Sequence, residues 1–138
     1  MAAKHQPTTV RLSAVTEELI QDEARRTRRS KSAVLQSLAD EGIRQRRFPG
    51  IAFRGRDPQR RAWAIGTGLD VWQIVEAYRD FGESIERMAA ETDLDEPQIR
   101  LAIAYYERFP GEIDEAIAEN QAIGEEFGSR FPSFEIRA

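Results

Sequence analysis

The chain contains no cysteine. Disulfides and thiolate metal sites are therefore excluded, and the absence fits a reducing cytoplasm. Its one histidine, His5, lies in a polar stretch ahead of any periodic pattern, so no positioned imidazole is on offer for acid–base or nucleophilic catalysis. No apolar run approaches the ~18 residues of a membrane span, and the first apolar positions are scattered rather than gathered into a signal sequence. Carboxylates are plentiful, at 24 Asp and Glu, but they lie along amphipathic stretches with no convergent pair. Asp70, Asp93 and Asp95 stand where helix caps and turns need an acceptor. These absences point away from an enzyme and imply neither cofactor nor metal.

What is present is a chain of 138 residues, 41% hydrophobic and 32% charged, sufficient for one ordinary domain or two very small ones. The net charge of -4 conceals an asymmetry. Residues 1–61 hold 14 Lys and Arg against 7 Asp and Glu, whereas residues 62–138 hold 6 against 17. A basic half suits a polyanion such as DNA, and an acidic half suits a basic protein surface.

Residues 1–7 are polar and aperiodic and read as a mobile arm. "TTVRL", Thr8 to Leu12, alternates and is rich in β-branched residues, which predicts a strand. Ser13 is placed to cap a following helix with Val15, Leu19 and Ile20 on its apolar stripe. "RRTRRSKS" interrupts the pattern. Ser30 then caps a second helix whose buried face carries Val34, Leu35, Leu38, Ala39 and Ile43, and "RQRRFPG" ends it. A strand and two helices in about 40 residues bury too little surface to be stable alone, and without disulfide or metal the usual remedy is oligomerisation. The simplest partner for a lone strand is its copy in a second chain. The resulting homodimer would hold Val10, Leu12, Leu19, Val34 and Leu38 in its core and turn Thr9 and Arg11 outward.

The stretch "TTVRLSAVTEELIQDEARRTRRSKSAVLQSLADEGIRQR" resembles a ribbon-helix-helix domain of the Arc/MetJ/CopG type. In that family a two-stranded ribbon enters the major groove. The resemblance implies that Thr9 and Arg11 read bases, with Arg11 suited to guanine. It also implies that Arg28, Arg29, Ser30, Lys31 and Ser32 meet phosphate at the second helix N-terminus, a place where free N–H groups attract anions. The alternative for "RRTRRSKS" is a solvated turn with an ordinary N-cap. Pro7, the next outward position, cannot hydrogen-bond a base.

From Phe48 the character changes. Ile51 to Arg54 and Arg61 to Ile65 predict a β-hairpin turning at "GRDPQ", and "GTG" leads into a helix from about Leu69 to Arg79. Ile85, Met88, Ala89, Leu94, Ile99 and Ala102 fall at the apolar positions of a helix-turn-helix, with Asp95 as cap of its second helix and Pro97 in the first turn. Asp93, Asp95 and Glu96 would repel phosphate, and only Gln98 and Arg100 favour DNA, so protein binding or a structural role is preferred there. Residues 48–119 also resemble a small uncharacterised domain associated with prokaryotic antitoxins, through "RRAWAIGTGLDVWQIV" and "IRLAIAYYERFP".

Pro110-Gly111 predicts a break, after which "EIDEAIAENQAIGEEF" reads as an acidic amphipathic helix and "GSRFPSFEIRA" as extended. Either this tail wraps a partner, or Ile113 and Ile117 pack on the preceding domain while the end frays. The whole resembles a VapB-type antitoxin of a toxin–antitoxin pair. That likeness implies operator DNA, a homodimer and a cognate toxin, a Mg-dependent ribonuclease, as partners. Ile113, Ile117, Arg130, Phe131, Phe134 and Arg137 would be the toxin-binding residues, with Arg130 or Arg137 approaching the toxin's carboxylates. The expected fold is mainly α. An N-terminal ribbon-helix-helix (one strand, two helices, intertwined dimer) spans 8–47, a β-hairpin plus helix-turn-helix-like domain spans 48–119, and an acidic, extended tail spans 120–138. The alternatives are a ribbon-helix-helix regulator without a toxin, and a regulator reading DNA through its helix-turn-helix.

Overall fold

A helix begins where a side chain can accept one of the N–H groups that the first turn leaves unpaired, and the computed structural model, which describes residues 6–130, follows that rule closely. Ser13 Oγ accepts from Thr16 N–H at 3.2 Å and opens α1 (Ala14–Thr27). Arg28 closes α1 in the left-handed region, at φ 55, and its N–H donates to the carbonyls of Ala24 and Arg25. Ser30 Oγ accepts from Ala33 N–H at 3.1 Å and opens α2 (Lys31–Arg47). These three features are the predicted turn and its two caps.

The predicted ribbon-helix-helix start is not seen. The first element is the helix α1, and residues 6–13 form no strand. The cause is the lack of a ladder partner. β-Branched alternation favours an extended backbone, but a strand exists only where its N–H and C=O groups pair with another. The sheet among the described residues lies elsewhere, in the order β1-β2-β3 (Ile51–Arg54, Arg61–Ala64, Leu69–Asp70).

The chain divides into two compact units, residues 1–42 and 43–138. The first contains no aromatic residue and has a minimal interior. Ile20 and Val34 are 6% and 2% exposed, whereas Val15, Leu19 and Leu38 are 67%, 63% and 50% exposed. Val10 is exposed as well. Of the five residues expected in a dimer core, only Val34 is buried within its own chain.

The second unit holds the main core. β1 and β2 pair antiparallel with Ile51 opposite Ala64 and Arg54 opposite Arg61, as the hairpin reading requires. A third, two-residue strand was not foreseen: Trp63 faces Asp70 and Ala64 faces Leu69. The "GTG" stretch makes the turn between β2 and β3. Gly66 and Gly68 take positive φ, and Thr67 Oγ1 donates to Ala64 O at 2.7 Å and accepts from Leu69 N–H at 3.0 Å. α3 (Val71–Asp80) therefore starts two residues later than expected, because Leu69 and Asp70 are taken by the sheet. Gly50, at φ 104, lies so close to Leu101 that an added Cβ would sit 2.8 Å from its Cδ2.

α4 (Ile85–Glu91) and α5 (Glu96–Arg108) form the predicted helix pair. Asp95 caps α5 by accepting from Gln98 N–H at 2.8 Å, and Gln98 Oε1 accepts from Asp95 N–H at 3.0 Å. Leu94, Met88, Ile99 and Ala102 join Val71, Ile74, Tyr105 and Ile113 in one buried cluster. Pro110 does not break the chain. It stands in the first turn of α6 (Pro110–Arg130), where proline is tolerated because no helical N–H bond is lost. The helix also runs through Gly128, where extended backbone was expected, to Arg130.

Candidate functional site

The basic turn between α1 and α2 contains more cations than free charge. Arg25 is paired with Asp22 and Arg26 with Glu23, each one turn away on α1. Lys31 bridges to Glu17, and its hydrogen bond holds the Glu17 carboxyl below the usual carboxylate range. Arg28 is exposed and its side chain has no hydrogen bond or ion pair among the described residues, and the same holds for Arg11. Thr9 and Arg11 lie in exposed, unladdered backbone ahead of Ser13. Ser30 spends its hydroxyl on the α2 cap, which leaves the Lys31 and Ser32 positions at the helix end. The turn thus gathers the five phosphate candidates into one short segment.

The helix-turn-helix face offers less to DNA. Gln98 is locked into the capping box with Asp95, so neither its N–H nor its Oε1 is free to read a base. Arg100 is exposed, but Asp93, Asp95 and Glu96 surround the start of the same helix with negative charge.

Of the predicted toxin-binding residues, Ile113 and Ile117 are buried in the core and present no surface to a partner. Arg130 ends α6, with its guanidinium 3.3 Å from Glu126. Phe131, Phe134 and Arg137 lie outside the described residues.

Two features escaped the sequence. The adjacent tyrosines of α5 each bridge an arginine to a carboxylate of α6. Arg44 donates to Tyr105 Oη at 2.9 Å and to Glu112, and Tyr105 Oη donates to Glu112 Oε2 at 3.0 Å. Arg44 also lies 3.8 Å from the Phe109 ring centroid. Burial opposes its charge, but the bonds to Glu112 and Tyr105 outweigh it and raise its pKa. Burial, helped by the Glu112 charge, pushes the Tyr105 hydroxyl up against the pull of Arg44. In parallel, Arg79 donates to Tyr106 Oη at 2.8 Å and to Asp114 at 2.9 Å, and Tyr106 Oη donates to Asp114 at 2.8 Å. The Arg79 and Tyr106 bonds hold the Asp114 carboxyl below its ordinary value. These bridges fasten the first turns of α6. The second feature is a cleft of about 320 Å³ between the β1–β2 turn, Trp72 and α6.

No protein-family model, no curated protein and no solved structure matches this chain. Among the described residues no helix is long and apolar enough to cross a membrane, and no three His, Asp or Glu side chains are grouped so as to hold a metal ion.

Proposed function

We propose that the chain is a homodimeric, DNA-binding transcription regulator of the bacterial cytoplasm, the antitoxin and autorepressor of a toxin–antitoxin pair. The observation that carries the first part is the incomplete interior of unit 1. Two helices that bury only Ile20 and Val34 and expose Val15, Leu19 and Leu38 lack the surface burial to stand alone. The same three side chains on a second copy supply a matching apolar face. Beside it, the exposed Arg28 cation stands next to the N-terminus of α2, the pattern that meets phosphate. Arg11 is the base-contact candidate. The ribbon is not part of this proposal.

Leu19→Glu tests it. In light scattering the wild type should have twice the mass of one chain and the variant should be monomeric. The variant should also retard the DNA upstream of its own gene at least about tenfold more weakly, since unit 1 without its second copy no longer holds the phosphate contacts in place. A monomeric wild type that still retards this DNA would defeat the reading.

The toxin reading is supported by a separate observation. α6 continues past its last buried residue, Ile117, and presents Ile123 and Phe127 at 67% and 39% exposed. An acidic helix that exposes Ile123 beyond its packed turns suits a basic protein groove. Deleting residues 121–138 should abolish co-purification of an untagged ribonuclease expressed from the neighbouring gene, and leave dimerisation intact. Retention of that partner would sink the toxin reading alone.

A further inference from the structure

We propose that the cleft walled by the β1–β2 turn, Trp72 and α6 receives an arginine side chain from a partner protein. The cleft lies wholly in the second unit, so its occupancy is independent of the DNA contact and of the second copy proposed above.

Its size sets the first limit. At about 320 Å³ it stands at the lower end of the roughly 300–1,000 Å³ of small-molecule pockets, which is room for one long side chain. Its charges set the second. Glu112, Glu115 and Glu119 stand along one face of α6, at i, i+3 and i+7, and all three border the cleft. Glu112 is engaged by Arg44 and Tyr105. Glu119 accepts from Arg61 at 2.6 Å. Arg60, on the opposite wall, donates to the carbonyls of Phe53 and Gly55 at 2.8 and 3.2 Å. Glu115 has no hydrogen bond or ion pair among the described residues. The cleft is therefore left with one carboxylate, the solvent-exposed Glu115, that is not engaged by its own chain.

Trp72 sets the third limit. Its indole N–H donates to Asp70 Oδ2 at 3.2 Å, so the ring is held and its polar atom is occupied. It contributes an indole to the residues that line the cleft. A guanidinium answers both demands, because it is planar enough to lie on an indole and carries a fork of donors that fits a carboxylate. An ammonium supplies the charge without the plane or the fork. An anion would be repelled by Glu115 and gain no bond from it. The acidic surplus of residues 62–138 favours a basic partner.

The full chain, labelled with nitrogen-15, should be titrated with N-acetyl-arginine amide while the Trp72 indole N–H resonance, assigned with Trp72→Phe, is followed. The expected result is a saturable shift with a dissociation constant of about 1 mM, as befits a single side chain. Glu115→Gln should weaken it at least about fivefold, the loss of a charge-assisted hydrogen bond. Glu107→Gln, on exposed α5 surface, should leave it unchanged. N-Acetyl-lysine amide should bind more weakly, and N-acetyl-citrulline amide, equal in shape and uncharged, should give no saturable shift. No saturation up to roughly 50 mM arginine probe, equal binding of the citrulline or lysine probe, or an unaffected Glu115→Gln would each overturn the assignment. The citrulline comparison is made on the wild type and does not depend on any variant folding.

Discussion

Arg28 is held at φ 55, a conformation that costs an ordinary side chain about 1 kcal/mol and that glycine adopts freely. Its backbone closes α1, so the position is structurally a glycine site. The arginine there adds a solvated, unpaired cation at the centre of the basic turn. Arg28→Gly should therefore stabilise the protein by roughly 0.5–1 kcal/mol and weaken its retention on DNA. The measurements are the urea midpoint and electrophoretic retardation on one preparation. A stabilised variant with undiminished DNA retention would remove Arg28 from the phosphate contacts. Residues of this kind are legible in sequence when their reasons are local. Ser13, Ser30 and Asp95 cap helices by bonding three residues ahead, so a short window contains the whole interaction. Tyr105 is the opposite case. Its partner Arg44 lies 61 residues away, and no pattern near the tyrosine announces it.

Elements follow the same division by range. The hairpin over 51–54 and 61–64 was readable because two apolar runs flank a turn-rich stretch. The strand predicted over 8–12 is absent because extended propensity is local while a ladder partner is not. Pro110 predicts a break by residue type, yet proline ends a helix only from its interior, and here it stands at the start of one. α6 owes its position to bonds made in its first turns, and Asp114 is the more exposed of their anchors. Arg79 and Tyr106 stabilise its carboxylate, so its folded pKa lies below the 3.8 of the free group. A depressed carboxyl pKa contributes stability that is fully present above the unfolded value and is lost as pH falls through the folded one. Asp114→Asn should consequently lower stability at neutral pH, and its difference from wild type should shrink as pH falls below the ordinary aspartate value and be lost once pH has passed the lowered folded value. Denaturant unfolding at a series of pH values measures this. A gap that stays constant down to the lowest pH would show that the Asp114 charge contributes nothing.

At the scale of the molecule, the two units differ in what holds them. The second has a buried cluster that includes Ile74, Met88, Ile99 and Tyr105, sufficient in itself. The first buries Ile20 and Val34 and on the proposed reading completes its interior only with a second copy. The sequence made this imbalance visible through the predicted core positions Val10, Leu19 and Leu38, which the single chain leaves exposed. It could not show how a second copy would cover them. The uneven distribution of aromatics turns the difference into a measurement. Trp63 and Trp72 and all three tyrosines lie in the second unit, and the first has no aromatic residue at all. Tryptophan fluorescence thus reports unfolding of unit 2, whereas far-ultraviolet circular dichroism reports the helices of both. Folding coupled to association gains stability by mass action, and a unit with its own core does not. The circular-dichroism curve should contain a transition absent from the fluorescence curve, and its midpoint should rise by several degrees for each roughly tenfold increase in protein concentration. The fluorescence midpoint should stay fixed. In Leu19→Glu the first transition should be lost even at high concentration, with the second unchanged. Coincident, concentration-independent curves from both probes would mean that unit 1 is stable without a second copy, and the dimer would have to be abandoned.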